Sequence, residues 1–199
     1  MKHLRFMVAA VLGASFVALA EEPVKTPAEL LHEMKAECAQ PKSPDTPAWT
    51  SYLSETERIR WRIMGDIGKQ KENALPMIRV EKDKSDGEYQ QMLTVCLAGL
   101  GDADGIAATT NLLLNAKTPA VRICAAKALR DAKDKNAIPA LKVAMRDPYS
   151  RDDGSCVKIG DGKCHPVRIV AGDALGTLGF TREQINGMEK EVAQSAPRD

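Results

Sequence analysis

Two short stretches of the chain match position by position. Asn73-Ala74-Leu75-Pro76-Met77-Ile78 aligns with Asn136-Ala137-Ile138-Pro139-Ala140-Leu141 at an offset of 63 residues, or two units of about 31. In both, the Asn side-chain oxygen is placed to cap a helix. Proline then falls in the first turn, where its missing N–H is harmless. A second match joins Pro119-Ala120-Val121-Arg122-Ile123-Cys124-Ala125-Ala126-Lys127-Ala128-Leu129 to Pro166-Val167-Arg168-Ile169-Val170-Ala171-Gly172-Asp173-Ala174-Leu175-Gly176. Its offset is 46 from Val121 to Val167, because an insertion intervenes. Helix pairs repeated at a fixed period predict an all-α solenoid. One pair cannot cover its own apolar stripe, and stacked neighbours cover it for one another.

Working outward, the sequence divides into four such pairs over 54–195. Ser54-Glu55-Thr56-Glu57 is a capping box that opens a helix to about Ile67, followed by a partner from Ala74 to about Lys82. The second pair is Glu88 to Leu100 and Ile106 to Leu114, with Asp104 as the intervening cap. The third is Pro119 to Arg130, capped by Thr118, and Ala137 to Arg146. The fourth is Pro166 to Leu178 and Arg182 to Ala193, opened by the box Thr181-Arg182-Glu183-Gln184. Upstream, 21–53 holds another box, Thr26-Pro27-Ala28-Glu29, a short capping helix to about Cys38, and a linker with Pro41, Pro44 and Pro47. Small residues such as Ala125, Ala128, Ala171 and Gly172 let neighbouring helices approach closely.

Val121-Arg122-x-x-Ala125-Ala126-x-Ala128-Leu129 and Val167-Arg168-x-x-Ala171-x-x-Ala174-Leu175-Gly176 resemble the HEAT repeat, above all its short bacterial form, also named after phycobilisome lyases. Leu100-Gly101-Asp102 is similar to the end of the same unit. Arg130 stands where the pattern has Gly after the Leu. The resemblance covers about 54–193 and implies an α-α superhelix, a right-handed stack of antiparallel pairs that binds other proteins. It carries over no catalytic residue.

The insertion, 147–165, interrupts the repeat. Gly160-Asp161-Gly162 is a turn signal beside the β-prone run Val157 to Ile159. Cys156 and Cys164 suit opposing arms of a small hairpin, and a disulfide between them is expected. A metal site from Cys156, Cys164 and His165 lacks a fourth ligand and any Cys-x-x-Cys spacing. Asp152-Asp153-Gly154 lacks the twelve-residue calcium-loop pattern and reads as a solvated turn. Cys96 and Cys124, at near-equivalent places in neighbouring units, read as core residues. The sequence leaves open whether Cys38 pairs with one of them.

Residues 1–20 have the basic start, apolar run and Ala18-Leu19-Ala20 cleavage pattern of a secretory signal, so the chain is expected to be exported, periplasmic or extracellular. No later segment is long and apolar enough for a membrane span. The net charge is +1, and without Lys2 and Arg5 twenty-six cations face twenty-seven carboxylates. That balance argues against a nucleic-acid partner, despite Arg58, Arg60 and Arg62 around Trp61. No Gly-x-Ser-x-Gly, phosphate loop or Gly-x-Gly-x-x-Gly is present. The expectation is a cofactor-free binding scaffold, not an enzyme. Its candidate contact residues are Arg79, Lys82, Lys142 and Arg146 on second helices, with Lys158 and Asp161 in the hairpin. A self-associating envelope component is the alternative.

Overall fold

The computed structural model describes residues 24–40, 53–151 and 163–195. Among these are nine α-helices. They are α1 (Pro27–Ala39), α2 (Glu55–Lys69), α3 (Lys71–Asp83), α4 (Gly87–Gly99) and α5 (Ala103–Asn115), then α6 (Pro119–Ala132), α7 (Ile138–Ala144), α8 (Pro166–Thr177) and α9 (Arg182–Ser195). The predicted signal segment 1–20 and the prolines of the predicted linker lie outside the described residues.

From α4 onward the chain stacks as predicted. The first helices α4, α6 and α8 lie side by side, and α5 and α7 run behind them. The repeat's small residues make this possible. Ala125, Ala126, Ala128, Ala171 and Ala174 are all fully buried along the α4–α6–α8 seam. Between α4 and α5 the approach is closer still. A Cβ on Gly105 would lie 2.7 Å from the Cβ of Leu97 and 2.8 Å from the Ala98 nitrogen. No side chain fits there, so the layer spacing is set by a hydrogen atom. Thr109, one turn on, is buried too, and its hydroxyl donates to the Thr94 carbonyl at 3.2 Å.

The three capping boxes form as expected at Thr26, Ser54 and Thr181. Other caps differ. Asn73 lies inside α3, so Pro76 sits in the helix interior. Asn136 lies in a short 3₁₀ turn, Lys135–Ala137, whose cap is Asp134. Asx side chains compete locally for the same N–H groups, and the residue nearer the actual start wins. For the same reason Asp102, not Asp104, caps α5 by accepting from the Gly105 N–H at 2.8 Å. Thr118 does not cap α6 with its hydroxyl, which donates to Glu88 at 2.9 Å instead. The repeat itself holds, since Ala74 and Ile78 are as fully buried as Ala137 and Leu141.

The first predicted pair departs from the regular step. α3 packs mainly on α4 and α1, whereas α2 packs on α1 and reaches across to α6. Buried polar groups hold α2 there. Arg60, 3% exposed, forms an ion pair with Glu88 of α4 at 2.7 Å. Trp61 lies beneath the charges of Lys127 and Arg130 of α6, at 5.5 and 5.6 Å.

Candidate interaction site

The insertion leaves the stack from a frame built by the repeat's own arginines. Arg122 clasps Asp147 with two bonds, Nε to Oδ2 at 2.7 Å and Nη2 to Oδ1 at 3.2 Å, and also donates to the Ala116 carbonyl. Arg168, its counterpart one unit on, donates to the Asp147 carbonyl at 2.7 Å. The Val-Arg motif therefore fixes the point where the chain departs. Arg151 and Cys164 then pair through their backbones at 2.8 and 3.1 Å, which closes the base. His165 is buried, and its Nδ1 meets the Tyr149 carbonyl at 3.0 Å.

One further tie is long-range. Arg151 Nη2 reaches Glu57 Oε1 at 2.5 Å across 94 positions of sequence. Glu57 is 1% exposed and also accepts from the Ser54 N–H at 2.8 Å, as the third residue of the capping box. One carboxylate thus starts α2 and holds the insertion. A buried carboxylate so placed needs its cation, because loss of Arg151 leaves an uncompensated buried charge. Sequence reasoning gave Glu57 its capping role and had no signal for Arg151.

The predicted contact residues fall in two groups. Arg79, Lys82, Lys142 and Arg146 lie on or just beyond the second helices α3 and α7. Arg79 bonds to Asp102 through Nε at 3.1 Å and through Nη2, tying α3 to the start of α5. That guanidinium, with the Gly105 N–H, holds the Asp102 carboxyl below the usual carboxylate range. Lys82 lies 3.7 Å from Asp83. The Lys142 ammonium stands over the Phe180 ring at 5.0 Å, and Arg146 is exposed beside the start of the insertion. Lys158, Asp161 and Cys156 lie outside the described residues, and so does the predicted pairing of Cys156 with Cys164.

Cys38, Cys96 and Cys124 are free thiols, so Cys38 is bonded to neither of the others. Burial pushes Cys38 up to about 11 and Cys96 to about 12, and raises Cys124 as well. All three are protonated at neutral pH and poor nucleophiles. Cys38 lines a cavity of about 330 Å3 with Lys35, Lys84, Ser85 and Glu88. Arg60 stands nearby, with Nε and Nη1 buried and without a hydrogen-bond partner. No group of three or more metal-ligating side chains converges among the described residues. No helix among them is long and apolar enough to cross a membrane.

The geometry defines a stack of short helix pairs with a framed insertion, and a family comparison agrees. Residues 75–153 match the family described as HEAT repeats, and over this stretch the chain is similar to those repeats. The matched span runs from α3 through α7 to the base of the insertion. No curated protein matches the chain. HEAT repeats generally mediate protein–protein interaction.

Proposed function

We propose that the chain is an exported scaffold that binds a partner protein through its second-helix surface and the insertion. The observation that carries this reading is the frame at the insertion's base. Three side chains from three helices, Arg122, Arg168 and Glu57, hold the insertion at Asp147 and Arg151. A rigid base under a protruding segment is what a recognition element requires, since ordering it in advance lowers the entropic cost of binding. Arg146 stands two residues beyond α7, just before the insertion begins at Asp147, and joins the two surfaces. Arg79, Lys82, Lys142 and Arg146, with Lys158 and Asp161, supply the polar contacts. The helix pairs form a right-handed stack, as the HEAT resemblance implies. The signal-like segment 1–20 supports export to a periplasmic or extracellular site, where a Cys156–Cys164 disulfide closes the insertion. The protein acts as a binder without catalytic machinery or cofactor.

Removal of residues 150–163 tests this. The shortened protein should keep its helical circular dichroism and lose capture of a partner from the envelope or secreted fraction. Undiminished capture would overturn the role of the insertion.

A further inference from the structure

In α6 every residue from Ile123 to Leu129 is buried. That run makes nearly two turns, so the helix is covered all round. In a stack of helix pairs the outer side of a first helix ordinarily meets water. Here α4 and α8 flank α6, α5 lies behind it, and α2 lies across the remaining side. Cys124 marks the place. It is fully buried, and the charges of Arg60 and Glu57, both on α2, act on its thiol. The HEAT match begins at residue 75, so α2 lies outside it.

This cover is held differently from the stack beneath it. Of the buried residues of α2, Ile63, Met64 and Ile67 are apolar, while Glu57 and Arg60 are charged. The buried residues of α6 include one charge, Lys127. Apolar side chains gain nothing from water, whereas buried charges regain their hydration once a helix lifts. Arg60 sharpens the contrast. Its Nη2 meets Glu88, but Nε and Nη1 are buried without a hydrogen-bond partner. Such donors are unfavourable in place and satisfied in water. Glu57 acts the other way. It accepts Arg151 Nη2 from the base of the insertion and the Ser54 N–H from its own capping box. We propose that α2 is a releasable cover over the outer side of α6, latched by the Glu57–Arg151 pair to the base of the insertion. Opening bares the Cys124 side of α6 while the stack from α4 to α8 stays folded. Cover and insertion then share one equilibrium, and whatever draws Arg151 off Glu57 also favours release of α2.

The latch goes beyond the binding role of the insertion, and its test uses no partner. Hydrogen exchange of the full chain is followed by mass spectrometry at rising urea concentrations below the unfolding transition. Amides of α2 should exchange about tenfold or more faster than those of α6 and α8, with a shallower dependence on urea, as a sub-global opening requires. Alkylation of Cys124 should keep step with α2. Equal rates and equal urea slopes for α2, α6 and α8, or alkylation of Cys124 only with global unfolding, would overturn the cover. Glu57→Gln tests the latch, because Gln still serves the capping box and only the charge is removed. It should speed both α2 exchange and Cys124 alkylation by about tenfold. Arg151→Lys keeps the charge without the guanidinium fork and should speed them less. Unchanged rates in both variants would overturn the latch. If the rates behave as expected and removal of 150–163 leaves capture unchanged, the cover stands and the binding role of the insertion is wrong. If they do not and capture is lost, the cover is wrong and the binding role stands.

Discussion

At the scale of single residues, two positions test how closely the stack is built. Gly105 sits in a helix interior, where alanine is ordinarily better by about 1 kcal/mol. Here the added methyl meets the α4 backbone at under 3 Å. Gly105→Ala should therefore destabilise, by roughly 1–3 kcal/mol, in a denaturant melt; a gain in stability would mean that α4 and α5 are further apart. Arg151→Met leaves the Glu57 carboxylate buried without its cation. The expected loss is about 3–5 kcal/mol, and the double variant Arg151→Met/Glu57→Gln should recover part of it. The thiols give a pH dependence. Cys96 ionises near 9 when unfolded and at about 12 when folded, so its contribution is intact below pH 9 and is lost as pH rises through that window. Stability should fall above pH 9 by up to about 1.4 kcal/mol per pH unit for a fully buried thiol, and less steeply in Cys96→Ala.

At the scale of elements, the stack was legible wherever a helix obeys the repeat. The Val-Arg-x-x-Ala motifs located α6 and α8, and their alanines lie in the seam as read. Ala128 is fully buried, and a Cβ on Gly99 of α4 would be 3.9 Å from its methyl. Ala128→Phe should therefore overpack the α4–α6 contact at a cost of roughly 1–3 kcal/mol, read as a lowered melting temperature. The caps were less legible. A run such as Asp134-Lys135-Asn136 offers several competent side chains, and backbone geometry decides among them. The placement of α2 was not legible at all. Its periodicity shows an apolar face but not which neighbour covers it, and the partners that settle the matter, Glu88, Lys127 and Arg130, are 28 or more positions away. The candidate site was half legible. Charge and turn signals marked the second helices and the insertion, while the Arg151–Glu57 tie depends on the fold bringing both ends together.

At the scale of the molecule, the repeat creates the surface and its interruption creates the handle. The HEAT-matched span ends at the base of the insertion, where the motif arginines Arg122 and Arg168 both turn to Asp147. Non-reducing alkylation of the unfolded chain should label three cysteines, because Cys38, Cys96 and Cys124 are free and the proposed Cys156–Cys164 bond protects the other two; labelling of five would remove that bond. The central claim, that the second-helix surface meets the partner, is tested most directly by photocrosslinking in the producing cell. A benzophenone side chain placed at Val80 or Val143 should give an adduct of one common size, while the same group at exposed Asp173 of α8 should not. Equal adducts from Asp173, or adducts from that position alone, would contradict it.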